Sequence, residues 1–312
     1  MTAVATRRRR TASQFFTALY SQRQLLVLSL PVLAYFFIFD YIPMYGIQIA
    51  FRDFVMVKGF FGSPWVGLKH FVRFFESYKF WLVLKNTILL SLYELFAGFP
   101  APIIFALVLN QCYHPQFRKT VQTITYAPHF ISTAVVVGML YLLLSPSSGI
   151  VNHVLKAVGL KPVFFMGDER WFRHVYIFSA IWKNLGWGTI VYLASLAGVD
   201  PSLYEAATID GANRVHKILY IDFFAILPTM TILMILRMGR IISVGFQKAY
   251  LMQNDLNIRT SEIIATYVYK MGILHGQFSF ASAIGFFNNV VGLVMVLVVN
   301  AIARRLGETS LW

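Results

Sequence analysis

Long apolar runs separated by short polar clusters fill the chain from residue 25 onward. A helix needs about 20 apolar residues to cross the hydrocarbon core of a bilayer. Stretches of that length lie at 25–50, 81–109, 121–144, 174–197, 218–241 and 280–303. Lipid offers no partner to bare backbone N–H and C=O groups, so each is predicted to be a helix; barrel strands would be shorter and would alternate. The expected fold is therefore an all-α integral membrane protein with six transmembrane helices. Residues 1–24 read as a basic cytoplasmic tail and 25–312 as a single transmembrane domain. The first run continues from Leu25 through Phe39 to Ile49 with bulky aromatics and no small-residue cleavage site. It reads as a retained span, not a removable signal.

Composition sharpens this picture. Hydrophobic residues make up 58% of the chain and charged residues 13%, against about 25% charged in an ordinary soluble domain. The net charge of +14 does not point to nucleic acid, because the basic residues sit between apolar runs and not on one polar face. Arg7–Arg10 before the first span and Arg304–Arg305 after the last place both termini in the cytoplasm. The segments 52–79, 145–173 and 243–279 then lie outside as short interfacial helices and loops. A single cysteine, Cys112, excludes an internal disulfide, and no metal-ligand spacing, phosphate loop or nucleophile elbow is present. A catalytic or energy-supplying function would have to be borrowed from a partner.

One polar segment stands out, between the fourth and fifth spans, running from Asp200 to Arg214. Asp200 can cap the first amides of a short helix, and Pro201 suits its first position, where an N–H would be unpaired anyway. Ala206 and Ala207 favour helix, and Gly211 after Asp210 permits the left-handed turn that ends it. A second helix then starts near Asn213. Two readings fit equally well: an ordinary helical hairpin, or a small-faced helix that docks in a groove on another protein.

Glu205-Ala206-Ala207, three further residues and Gly211 resemble the EAA motif of permease subunits of binding-protein-dependent ABC importers, with Tyr204, Asp210 and Ala212 in keeping. Val244-Gly245-Phe246, Tyr250 to Asn254, Phe286 to Val290 and Glu308 to Trp312 resemble the LplB-type carbohydrate permeases of the maltose-importer-like, type I group. The likeness covers nearly the whole chain. The sequence departs from it after Ile221, where Asp222-Phe223-Phe224 stands in place of any residue followed by Leu-Pro. The bend expected at the start of the fifth span is put in question there.

The resemblance implies a type I permease fold and a coupling helix that sits in a cleft of an ATPase subunit. Glu205 would be its polar contact, Ala206 and Ala207 would allow close approach, and Asp210 and Gly211 would make the turn. The implied partners are a second permease, two ATPase subunits that hold the ATP and Mg, an extracytoplasmic solute-binding protein and an oligosaccharide. The chain itself would carry no cofactor. Basic outside residues such as Lys58, Arg73, Lys161 and Lys248 favour an acidic, uronate-containing sugar, unless they meet the binding protein or lipid headgroups instead.

Aromatic faces stack on sugars and amides satisfy hydroxyls, so Asn184, Trp187 and Tyr192 in the fourth span and Asn288 and Asn289 in the sixth are candidates for the pathway. Each can equally serve helix packing. Glu94 and Lys183 are ionisable residues inside predicted spans, where charge is costly; a mutual ion pair, or Glu94 bonded to backbone, is the expectation. His129 beside Pro128 reads as a hydrogen-bonded packing residue. An ion-coupled secondary carrier is the alternative, for which Glu94 is the acidic candidate and no similarity of the two halves is evident. A membrane enzyme lacks a cluster of catalytic groups.

Overall fold

The computed structural model describes residues 23–239 and 245–305. Arg7–Arg10 and most of the basic tail, Val244, and the terminal Glu308–Trp312 lie outside the described residues. The regular structure within them is helical, and the one β-type pairing is an isolated antiparallel bridge between Arg52 and Trp65. The chain divides into two compact units, Met1–Gly67 and Leu68–Trp312.

In the first unit, helix α1 (Arg23–Phe51) passes through a π turn at Phe37–Tyr41 and tightens to 3₁₀ geometry at Tyr45–Phe51. Its apolar side chains, Leu28, Phe37 and Phe39 among them, are exposed along its length. A surface of that kind is stable only when lipid or protein covers it. After it, Phe51 stacks on Trp65 with centroids 5.6 Å apart, and the Arg52 guanidinium lies 5.5 Å from the same ring. The stack closes the intervening loop.

The second unit opens with α2 (Lys69–Glu76), amphipathic, with His70 and Phe74 buried. There follow α3 (Tyr78–Asn110), α4 (Pro115–Phe130), α5 (Thr133–Leu143) and α6 (Ile150–Ala157). Then come α7 (Glu169–Ala197), α8 (Pro201–Ile209), α9 (Arg214–Met238), α10 (Phe246–Met252), α11 (Ile264–Tyr269) and α12 (Phe278–Arg305). Helices α1, α3, α9 and α12 are long and apolar enough to span a membrane, and α4 with α5 makes a fifth if the pair is one span. Helix α7 has the length, 29 residues, but is more polar, with Lys183 and Asn184 at its middle.

The expected continuous third span is corrected by the structure: α4 and α5 meet at 101°. Pro128 brings no N–H to the helix, and Ile131 and Ser132 turn to extended backbone. The Ser132 hydroxyl then accepts from the Val135 N–H at 3.3 Å and starts a new helix. The break is thus built by a proline on one side and a cap on the other.

Helix α7 is the central post of this unit. Its Phe172, Tyr176 and Ile177 enter one apolar cluster with Leu90 and Val137, and its Tyr192, Leu193 and Leu196 enter another with Ile103, Leu107 and Ile226. A third cluster joins Phe74, Val83, Ile264 and Phe280. The 245–279 segment is tied down by polar contacts. Asn86 donates to the Arg259 and Glu262 carbonyls at 2.9 and 3.0 Å, and buried Glu262 pairs with Lys79 at 2.5 Å and Lys270 at 3.2 Å. A buried carboxylate held by two ammonium groups has its charge matched, which burial requires.

Small residues set the closest approach between helices. A Cβ on Gly186 of α7 would lie 2.4 Å from the Thr125 carbonyl oxygen of α4. Gly186→Ala is therefore expected to cost roughly 1–3 kcal/mol through overpacking. Gly138→Ala, at an exposed helical position with nothing within 4 Å of its Cβ, should be neutral or stabilise by up to about 1 kcal/mol. Thermal unfolding of both variants in detergent checks the contrast, and equal melting points would contradict the α4–α7 approach.

Candidate functional site

The 200–214 segment folds as its residues dictate. Asp200 accepts from the Ser202 N–H at 2.9 Å, which starts α8 behind Pro201 and holds the Asp200 carboxyl below its usual range. Gly211 adopts φ +76°, and the Ala212 N–H returns to the Ala207 carbonyl at 2.8 Å, closing the helix with a left-handed cap. Asn213 then caps the next helix by accepting from the His216 N–H at 2.9 Å. Lys217 reaches back to the Thr208 hydroxyl at 2.7 Å, fixing the angle of the hairpin.

Glu205, Ala206, Asp210 and Gly211 are exposed, and Ala207 is half-buried. Leu203 and Ile209 share the exposure, Ile209 at 87%. The sequence analysis does not single these two out, although an isoleucine on a nine-residue helix between polar turns is a visible signal. Their exposure gives α8 an apolar surface beside Glu205, of the kind a protein groove covers.

Beneath α8 lies a polar joint. Asp222 has no exposed surface. Its carboxylate accepts from the Tyr204 hydroxyl of α8 at 2.5 Å, from Asn110 at the end of α3 at 3.1 Å, and from adjacent Gln111 at 2.6 Å. Burial and this carboxylate push the Tyr204 phenol up to about 12. Asp222 closes a π turn, Ile218–Asp222, near the start of α9. That turn stands where the expected Leu-Pro bend is missing: the helix leaves α geometry by an added residue and not by a proline. Phe223-Phe224 continue the helix normally.

A second feature is a cavity of about 590 Å³ between α3, α7 and α9, lined by Ser91, Glu94, Gly98, Asn184, Gly188 and Arg237 among others. Glu94 does not pair with Lys183, as the sequence led us to expect. It lies on the π turn of α3 facing α9 and holds Arg237 at 3.0 Å, while Lys183 turns towards Thr133 of α5 at 3.4 Å. Arg237 was missed, although an arginine inside the predicted fifth span is the same signal that picks out Glu94. Gly98 leaves room for the pair, since a Cβ there would sit 3.3 Å from Arg237 Nη2.

Of the five pathway candidates, Asn184 lines this cavity. Its side-chain oxygen meets His129 Nδ1 at 3.1 Å, and the His129 ring stacks on Trp187 with centroids 4.5 Å apart. Trp187 therefore stands beside the break between α4 and α5. Tyr192 is buried in the apolar cluster around Ile226. Asn288 and Asn289 lie on α12 and are not among the cavity's lining residues; Asn288 is half-buried with an unpartnered side-chain oxygen, and Asn289 is exposed.

A bundle of membrane-length helices around a polar cavity, with an exposed helical hairpin joined to the ends of two of them, defines the membrane subunit of a transporter. The chain matches, over residues 84–308, the family described as the binding-protein-dependent transport system inner membrane component, and it belongs to that family. It is 42% identical to the polygalacturonan/rhamnogalacturonan transport system permease protein YteP of Bacillus subtilis (strain 168), over 94% of this chain and 92% of that one. It is 39% identical to the protein LplB of the same organism, over 96% and 94%. A crystal structure of a bacterial alginate ABC transporter, in complex with an alginate pentasaccharide-bound periplasmic protein, contains a chain that superposes with TM-score 0.88 at 40% identity, covering 95% of this chain and 99% of that one. The fold is that of a type I ABC importer permease.

The joint around Asp222 predicts a graded mutational response. Asp222→Ala leaves buried donors unsatisfied and should cost about 2–4 kcal/mol. Tyr204→Phe removes a single bond to a carboxylate and should cost roughly 1.5–3 kcal/mol. Denaturation of the detergent-solubilised protein followed by tryptophan fluorescence reads both, and an Asp222→Ala variant as stable as the parent would contradict the joint.

Proposed function

We propose that this chain is one of two permease subunits in a bacterial ATP-driven importer for acidic oligosaccharides, seated in the cytoplasmic membrane with both termini inside. The observation that carries the reading is the whole-length match in fold to the alginate transporter chain. Polygalacturonan and alginate, named for relatives of this chain, are both polymers of uronic acids. The cavity suits an anionic sugar, with Arg237 on its wall and aromatic and amide groups at Trp187 and Asn184 beside it.

In this reading residues 25–312 form the transmembrane domain and supply half of the pathway. A related permease supplies the other half, a solute-binding protein delivers the sugar from outside, and two ATPase subunits bind ATP and Mg beneath. Helix α8 is the coupling helix. Glu205 meets the ATPase, Ala206 and Ala207 permit close approach, Leu203 and Ile209 fill the cleft, and Asp210 with Gly211 makes the turn. When the ATPases close, displacement of α8 passes through Tyr204 to Asp222, and from there to α9 and to the end of α3. A rigid, satisfied hydrogen-bond joint transmits displacement without slack. A proton-coupled secondary carrier has less support, because Glu94 is engaged by Arg237.

Glu205→Lys places a cation at the proposed contact. Sugar uptake by cells carrying this variant is expected to fall by about tenfold or more, from a like-charge or unpaired contact, with the amount of permease in the membrane unchanged. Ordinary uptake by the variant at ordinary abundance would contradict the docking role of α8.

A further inference from the structure

The cavity wall carries one ion pair, with further basic groups nearby. Among the described residues, Arg237 and Glu94 face each other on its wall, and Lys183 follows on α7 immediately before the lining residue Asn184. Lys248 of α10 donates to the Tyr176 carbonyl at 2.6 Å and is close enough that the charges of Glu94 and Lys183 both act on it. Lys183 and Lys248 are held by Thr133 and by the Tyr176 carbonyl, which leaves Arg237 as the cation on the cavity wall. Cations confined in apolar surroundings draw in an anion.

Arg237 is the member of this set built to exchange its partner. Its side chain is about a third exposed, as is that of Glu94, and one nitrogen, Nη2, makes the 3.0 Å contact. A guanidinium presents five donors in a fork that matches a carboxylate in two-point geometry. A single-nitrogen contact leaves donors of that fork to be engaged. Glycine at position 98 keeps the space next to the pair open, and the Phe99 ring centroid lies 5.8 Å from the guanidinium carbon.

We propose that Arg237 is the carboxylate-recognition residue of the pathway and that Glu94 is its built-in surrogate, occupying the guanidinium when the cavity is empty and giving way to a uronate carboxylate of the passing sugar. The inference rests on the acidic-oligosaccharide reading above and adds the residue that enforces it. Glu94 also sets the affinity: by competing for Arg237 it keeps the sugar's carboxylate from binding too tightly to leave. Neutral sugars, lacking the carboxylate, leave the pair closed.

The test uses the assembled transporter, purified with its partner permease and ATPases but without the binding protein. Binding of trigalacturonate or a trimeric alginate fragment, and of the carboxyl-reduced form of each, is titrated by tryptophan fluorescence. The parent is expected to prefer the acidic forms. Glu94→Gln should tighten acidic binding severalfold, and the double variant Glu94→Gln with Arg237→Gln should weaken it roughly tenfold or more while leaving the reduced forms unchanged. The double variant removes both charges, so no unpaired ion is left buried and the complex should still copurify intact. A merely structural pair predicts no tightening in Glu94→Gln and equal change for acidic and reduced sugars; that result, with an acid-preferring parent, would overturn the inference alone. A parent that binds acidic and reduced sugars equally would overturn the acidic reading and the inference with it.

Discussion

A carboxylate with no exposed surface must have its charge met by hydrogen bonds, and the way Asp222 meets this requirement organises the functional half of the molecule. Its three partners come from two places in the chain: Tyr204 on α8, and the adjacent Asn110 and Gln111 at the end of α3. Because the group is sealed from water, α8 cannot shift without moving α9 or leaving a buried charge unsatisfied. The π turn that ends at Asp222 brings this side chain to its partners. A proline bend at the same place would turn the helix without supplying a carboxylate. Where Leu-Pro was expected, the helix thus carries a π turn whose last residue is held by hydrogen bonds.

Much of this was legible in the residues. The α8 segment was readable because its signals are local: Asp200 and Pro201 start it, Gly211 with φ +76° ends it, and Asn213 begins the next helix. Hydropathy located four of the six predicted spans as single long apolar helices for the same reason. The break between α4 and α5 was harder, since an apolar run reads as continuous and the Ser132 cap is informative only once Pro128 is seen to end the preceding helix. Pairings across the bundle were least legible. Glu94 finds Arg237, 143 residues away, and Lys183 finds Thr133, because helix rotation decides which side chains face each other. Periodicity within one helix cannot supply the register between two.

The cavity follows a different logic from the joint. Where Asp222 is fully engaged and sealed, Glu94 and Arg237 are partly exposed and joined through one nitrogen. The first arrangement suits transmission of force and the second suits exchange of partners. Both use a carboxylate on a π turn, Glu94 in α3 and Asp222 in α9. Turns of this type are enriched at functional places in helices because they aim a side chain that regular geometry would direct elsewhere.

The central claim is that α8 carries the stroke of an ATPase into the bundle through this joint, and a cysteine crosslink tests it most directly. With Cys112, the sole native cysteine, replaced by serine, Ala207→Cys is paired with a single cysteine in the cleft of the ATPase subunit, in an assembled transporter. The account predicts a crosslink whose yield changes when ATP is added, and a weaker ATP response when Asp222→Ala is introduced. No crosslink at any of several cleft positions, with both subunits present in the membrane, would contradict it.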